Sequence, residues 1–180
     1  RLSLHLFFAF IIISLLFWAY LNLKSVREKI FFNLKNKNLK ILFFLILCQI
    51  ILGAFVSGLD AGLIYQTWPK MNLSYFPDDL QFKNLSIFNI FNEQSFVQFL
   101  HRSMAYLITI LVLFIGIKLF FDKKFIILKS YYFVLISLIC QVILGILTLV
   151  SGINIYLASL HQITSVILVF SVLNLNHKMS

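Results

Sequence analysis

Charge is what this sequence most lacks. Only 12% of its residues are Asp, Glu, Lys or Arg, while 61% are hydrophobic. A water-soluble domain carries about 25% charged residues, so an aqueous globular fold is excluded and lipid is the expected solvent. Proline is scarce too: Pro69 and Pro77 are the two copies, and both lie in one loop. The long apolar runs therefore carry no proline break, which argues against a transporter built on helices broken at mid-membrane. Cysteine is limited to Cys48 and Cys140, each well inside an apolar run and without CxxC spacing. Neither a disulfide framework nor a thiolate metal site is expected, and both read as small packing residues. No Asp or Glu falls beside an intramembrane histidine, which removes the carboxylates that a copper or zinc site would draw on.

What is present is a set of five apolar runs, at Leu2–Leu23, Leu39–Leu59, Phe96–Phe121, Phe125–Val150 and Ile153–Leu175. Each reaches the roughly 20 residues that a helix needs to cross a bilayer. The predicted fold is all-α, a polytopic transmembrane bundle of five spans. No signal peptide is read at the start, because the first run lacks a basic flank and a small-residue cleavage site. The opening residue is Arg1 rather than methionine, so the chain is expected to be a piece of a longer protein.

The net charge of +9 is unevenly placed. Lys24, Arg27, Lys29, Lys35, Lys37 and Lys40 separate spans one and two; Lys118, Lys123, Lys124 and Lys129 cluster between spans three and four; Lys178 follows span five. The loop at 60–95 carries Lys70 and Lys83 against Asp60, Asp78, Asp79 and Glu93. This asymmetry is the positive-inside pattern. It places the basic loops on the cytoplasmic or matrix side and the 60–95 loop outside, and it assigns the basic charge to topology and lipid rather than to nucleic acid.

The chain also repeats itself. "CQIILG" at Cys48–Gly53 recurs as "CQVILG" at Cys140–Gly145. Each copy sits in a span rising to the outer side, and each is followed by a loop and then a span with a histidine near its outer end, His101 or His161. The shared order of features predicts a duplicated helix pair, and membrane proteins often place ligands at such repeat interfaces. Gly53 with Ser57 and Ala54 with Gly58 are small-xxx-small pairs suited to close helix packing. Gln49 and Gln141 are expected to hydrogen-bond across helices. The loop "GLDAGLIYQTWPKMNLSYFPDDLQFKNLSIFNIFNEQS" is too long for a plain connection, and its aromatics point to a structured lid, with Tyr65 and Trp68 as interfacial anchors in the simplest reading.

His5, His101 and His161 share a depth, roughly 6 to 12 Å inside the outer surface at about 1.5 Å per helical residue. His177 lies beyond the last span and reads as an inert tail residue. Facing imidazoles at one depth on two helices suit a planar iron macrocycle with one ligand on each face. Bis-histidine haem ligation by His101 and His161 is the expected site. Arg102 follows directly and can pair with a haem propionate, or else extend to the lipid interface.

At this point the sequence resembles the haem A synthase family. The resemblance rests on "GLDAGLIYQTWPKM", "VQFLHRSMAY", "LASLHQ" after the "QVILG" helix, and "RLSLHL" at the start, and so covers nearly the whole chain. It implies eight transmembrane helices in two similar four-helix halves. Residues 1–23 would then be the last helix of a truncated N-terminal half and 24–40 a basic cytoplasmic or matrix linker. Residues 41–176 would be the C-terminal four-helix haem-binding domain, with an outer lid at 60–95. It further implies a low-spin haem b between His101 and His161, with His5 a ligand of the substrate, haem O. The implied reaction oxidises the C8 methyl of haem O to a formyl group by successive hydroxylations, giving haem A. The essential glutamate and the partner of His5 would lie on a helix that precedes this chain, and neither Glu28 nor Glu93 matches them. The chain taken alone is therefore expected to hold one haem without catalysing, and no catalytic residue is assigned in it.

Expected partners are haem O and the bilayer, with haem O synthase, cytochrome oxidase assembly factors and a second copy as further possibilities. The Lys-, Asn-, Ile- and Phe-rich usage inclines the localisation to a bacterial inner membrane, with the mitochondrial inner membrane as the alternative. Two rivals use some of the same features. A b-type cytochrome subunit for electron transfer would need the same histidines and no hydroxylation chemistry. A transporter half would share the repeat.

Overall fold

The structure is a computed structural model, and it describes residues 2–25, 29–30, 37–80 and 90–180. Five long helices account for most of it: α1 (Leu2–Leu23), α2 (Lys37–Gly58), α3 (Gln94–Phe121), α4 (Phe125–Val150) and α5 (Ile155–Met179). Each is long and apolar enough to cross a membrane, and the chain is an all-α, multi-pass membrane protein. The helical choice follows from the solvent. A backbone in hydrocarbon must satisfy its N–H and C=O groups internally, and a helix does so within one segment. Among the described residues there is no β-strand, and two short 3-10 turns, Ala61–Leu63 and Ile90–Asn92, punctuate the long loop between α2 and α3.

The helices pack as a bundle in which α3 rests on α2 and α4, while α5 rests on α4, α2 and α1. This leaves α3 and α5 at diagonal positions. The core is aliphatic: Leu42 and Ile46 of α2, Ile108 and Val112 of α3, Val134 and Leu138 of α4, and Val169 and Val172 of α5 are all buried. Lipid is as apolar as these side chains, so burial supplies little drive here and close packing with a few polar contacts supplies the rest. The Ser137 and Ser171 hydroxyls meet 3.1 Å apart between α4 and α5. The outward faces carry large apolar side chains, among them Leu4, Phe8 and Ile12 of α1 and Ile110, Phe114 and Ile117 of α3.

The connection between α4 and α5 is a tight turn. Gly152 and Ile153 both adopt positive φ, 70° and 62°, and the Ile153 N–H returns to the Thr148 carbonyl at 2.9 Å. Asn154 then caps α5, its side-chain oxygen accepting from the Tyr156 and Leu157 N–H groups at 3.0 and 3.4 Å. The long loop touches this turn at Gly62, where a β-carbon would stand 2.6 Å from Ile153 Cδ1 and the isoleucine side chain would have to turn away.

Lys24, Lys29, Lys37, Lys40, Lys118, Lys123, Lys124, Lys129 and Lys178 all lie towards the end of the bundle opposite the long loop, here the basic end. Arg27, Glu28, Lys35 and Lys83 lie outside the described residues. Two spans run further into the basic end than their apolar runs. α2 begins at Lys37, and α5 continues past Leu175 to Met179. The extension of α5 corrects the reading of His177 as a tail residue. Its ring is buried in the last turn, edge-on to Trp18, with Nε2 2.9 Å from Asn22 Oδ1. Lys29 completes the knot: its ammonium donates to the His177 carbonyl at 2.6 Å, and its own carbonyl accepts from Trp18 Nε1 at 3.0 Å and Asn22 Nδ2 at 3.2 Å. Sequence periodicity cannot show this, because the partners that bury a polar helix end come from the other terminus of the chain.

Candidate functional site

The two histidines expected to act together sit at matched positions. His101 is seven residues into α3 from Gln94, and His161 six residues into α5 from Ile155, about 10 and 9 Å along their helices. They stand at the end of the bundle that carries the long loop, on the two diagonal helices.

The repeat explains how each ring is seated. Gly53 of α2 lies against the His101 ring, where a β-carbon would stand 3.2 Å from Cε1. Gly145 of α4 lies against His161 in the same way, at 3.1 Å. Each glycine is five residues from the end of its helix, so the two units present equivalent ring seats. A β-carbon at either position would make the ring give way by a few tenths of an ångström.

The glutamines of the repeat set the ring tautomers. The His161 Nδ1 lies 3.1 Å from the Gln141 carbonyl. A carbonyl only accepts, so in the neutral ring Nδ1 carries the proton and Nε2 keeps its lone pair. The Gln141 side chain is held in turn by the Thr164 hydroxyl. In the other unit, the Gln49 amide nitrogen donates to the His101 carbonyl at 3.0 Å and lies 3.3 Å from His101 Nε2. An amide nitrogen only donates, so His101 Nε2 is again the lone-pair nitrogen. In both rings Nε2 is thus the lone-pair nitrogen, in His101 with the Gln49 amide against it.

Arg102 makes contacts that the sequence does not mark. Its guanidinium donates to the carbonyls of Tyr65 at 2.7 Å, Thr67 at 2.9 Å and Lys70 at 3.4 Å, so it clamps the loop to α3. Further residues that the sequence reading passed over join it. Gln98 donates to the same Tyr65 carbonyl at 2.9 Å, Gln94 donates to the Leu59 carbonyl, and the Ser95 hydroxyl donates to Asp79. Asp79 also accepts from the Tyr65 hydroxyl at 2.6 Å. Burial pushes the Asp79 carboxyl up, but the Ser95 and Tyr65 hydroxyls outweigh it and hold it below the ordinary carboxylate range. Burial, with the hydrogen bond to Asp79, pushes the Tyr65 phenol above its ordinary value. The signal available in the sequence was the polar spacing Gln94, Ser95, Gln98, Arg102 at the start of an otherwise apolar span.

His5 is exposed on α1, at the loop end. Trp68 is exposed and Tyr65 buried, so of the two expected interfacial anchors only Trp68 is surface-lying. A separate cleft of about 260 Å³, lined by Pro69, Met71, Phe99, Arg102 and Tyr106, opens on another face of α3 from His101. Cys48 and Cys140 are unpaired thiols. Among the described residues, no group of three or more His, Cys, Asp or Glu side chains could enclose a bare metal ion.

Comparison with known proteins agrees over almost the whole chain. The profile of the COX15-CtaA family, described as cytochrome oxidase assembly protein, matches residues 1–173. The heme A synthase of Pelagibacter ubique (strain HTCC1062) is 43% identical over 176 residues, covering 95% of this chain and 50% of the relative. That of Wolbachia pipientis wMel is 41% identical over 172 residues, covering 93% and 47%. That of Rickettsia prowazekii (strain Madrid E) is 33% identical over 173 residues, covering 93% and 50%. The chain spans about half the length of these curated relatives.

Proposed function

Because the chain belongs to the COX15-CtaA family of cytochrome oxidase assembly proteins, we propose that it forms the haem-b-holding half of a haem A synthase. That enzyme is an oxidoreductase of a bacterial inner membrane that converts the C8 methyl of haem O to the formyl group of haem A. The observation that carries the reading is the pair His101 and His161, on diagonal helices at one depth, each seated on a repeat glycine and each with Nε2 as its lone-pair nitrogen.

In this reading His101 and His161 would hold haem b, which would supply one-electron transfer at a potential set by its ligands and burial. Gly53 and Gly145 keep the rings close to their helices. The Gln141 carbonyl fixes the His161 ring by holding its Nδ1 proton, the usual support for a metal-bound imidazole. Arg102 anchors the outer loop over the site, and its remaining N–H groups are the source of positive charge for a propionate. His5 is a ligand of the substrate haem O, with its partner outside this chain.

The test is a reduced-minus-oxidised optical spectrum of the full chain in detergent, beside His101→Ala and His161→Ala. A b-type signal in the parent that disappears in both variants is expected. A parent that folds as a helical bundle and takes up no added haem would sink the assignment.

A further inference from the structure

Around His101 the first repeat unit leaves buried polar atoms unsatisfied. Among the described residues, Gln49 Oε1, Gln98 Oε1 and His101 Nδ1 are buried without a hydrogen-bond partner, and all three belong to His101 or to a glutamine near it. An unmet buried polar group costs about 1–3 kcal/mol, so a cluster of them calls for a reason.

Two of the three orphans are complementary. His101 Nδ1 carries a proton and lacks an acceptor; Gln98 Oε1 is an acceptor and lacks a donor. Gln98 is 2% exposed and lies one turn before His101, on the same face of α3. Helical side chains lean towards the N-terminus, which for α3 is the loop end. The Nδ1 edge of the ring leans the same way. It lies beside Gly53, while Nε2 lies beside Gln49, one turn further from the loop. Gln98 is also fixed at its other atom, since its Nε2 donates to the Tyr65 carbonyl.

We propose, building on the haem reading, that Gln98 is the positioning residue of His101: its carboxamide oxygen takes the hydrogen bond from Nδ1–H when Nε2 serves as the iron ligand. In the second unit a backbone carbonyl, that of Gln141, does the same for His161. One axial histidine is therefore supported by an invariable backbone group and the other by a side chain, tied at its far end to the loop. Gln98 is the point at which the sequence can tune the haem and at which the loop is coupled to it.

Two substitutions separate this role from a purely structural one. Gln98→Leu removes both the acceptor and the bond to Tyr65. Gln98→Glu also loses the N–H to Tyr65 but keeps, and strengthens, the acceptor. Arg102 holds the Tyr65 carbonyl in both variants. Redox titration of the haem in the full chain reads the difference. Gln98→Glu is expected to lower the midpoint potential, because a stronger acceptor makes the imidazole a better donor to iron. Gln98→Leu is expected to raise it and to release haem about tenfold faster. Potentials that shift in the same direction, or stay unchanged in both variants while the b-type signal persists, would overturn the role of Gln98 and leave the haem reading standing. Absence of a b-type signal in the parent would remove both.

Discussion

The two helix pairs of this molecule, α2–α3 and α4–α5, share a ring seat and differ in almost everything above it. Between Gly58 and Gln94 lie 35 residues; between Val150 and Ile155 lie four. The short turn closes on itself through Gly152, Ile153 and the Asn154 cap. The long loop closes on α3, through Gln94, Ser95, Gln98 and Arg102. The comparison teaches a division of labour. Duplicated helices supply a histidine, a glycine and a glutamine at equal depth, whereas the inserted loop is clamped by hydrogen bonds to one unit and meets the turn of the other at Gly62 and Ile153.

The sharpest way to break the equivalence is at the seats themselves. Gly53→Leu and Gly145→Leu should each unseat a ring, because even a β-carbon would press on Cε1 at 3.2 or 3.1 Å. Overpacking of this kind costs about 1–3 kcal/mol, and loss of bound haem in both variants, read by absorbance after gel filtration, is expected. If only one variant lost haem, the two units would not be equivalent. A smaller effect is expected at the clamp. Arg102→Ala frees the carbonyls of Tyr65, Thr67 and Lys70, so backbone amides at 65–72 should exchange faster with deuterium while the turn at 151–154 is unchanged. The smallest effect is pH-dependent. The Asp79 carboxyl lies below its ordinary value, so its bonds from Tyr65 and Ser95 favour the closed loop above the ordinary carboxylate range and are lost as pH falls through the depressed value. Loop exchange should therefore rise only in acid, and Asp79→Asn should flatten that profile; a neutral-pH transition in the parent would contradict it.

Much of this was legible in the residues. The five spans follow from apolar length alone, and His101 and His161 follow from the order of features in the repeat. The end of α5 was not legible, because His177 looks like a tail residue until Asn22, Lys29 and Trp18 arrive from a distant segment. Arg102 was legible as an interfacial cation but not as a clamp. Its partners are backbone carbonyls, which every residue carries and no sequence pattern marks. Gln98 was marked by the polar spacing Gln94, Ser95, Gln98 and Arg102 at the start of α3, but that spacing does not say that its amide reaches the Tyr65 carbonyl while its oxygen stays unpaired.

The knot of Asn22 and His177 at the basic end has a metric consequence. From Asn22 back to His5 is 17 residues of α1, and from His177 back to His161 is 16 residues of α5, arms of about 25 and 24 Å. The two helices behave as the jaws of a caliper joined at one closed end, and their histidines form the tips. A slip of one residue at the joint would displace one tip against the other by about 1.5 Å, so the relative height of His5 and His161 is gauged by a hydrogen bond on the opposite side of the membrane.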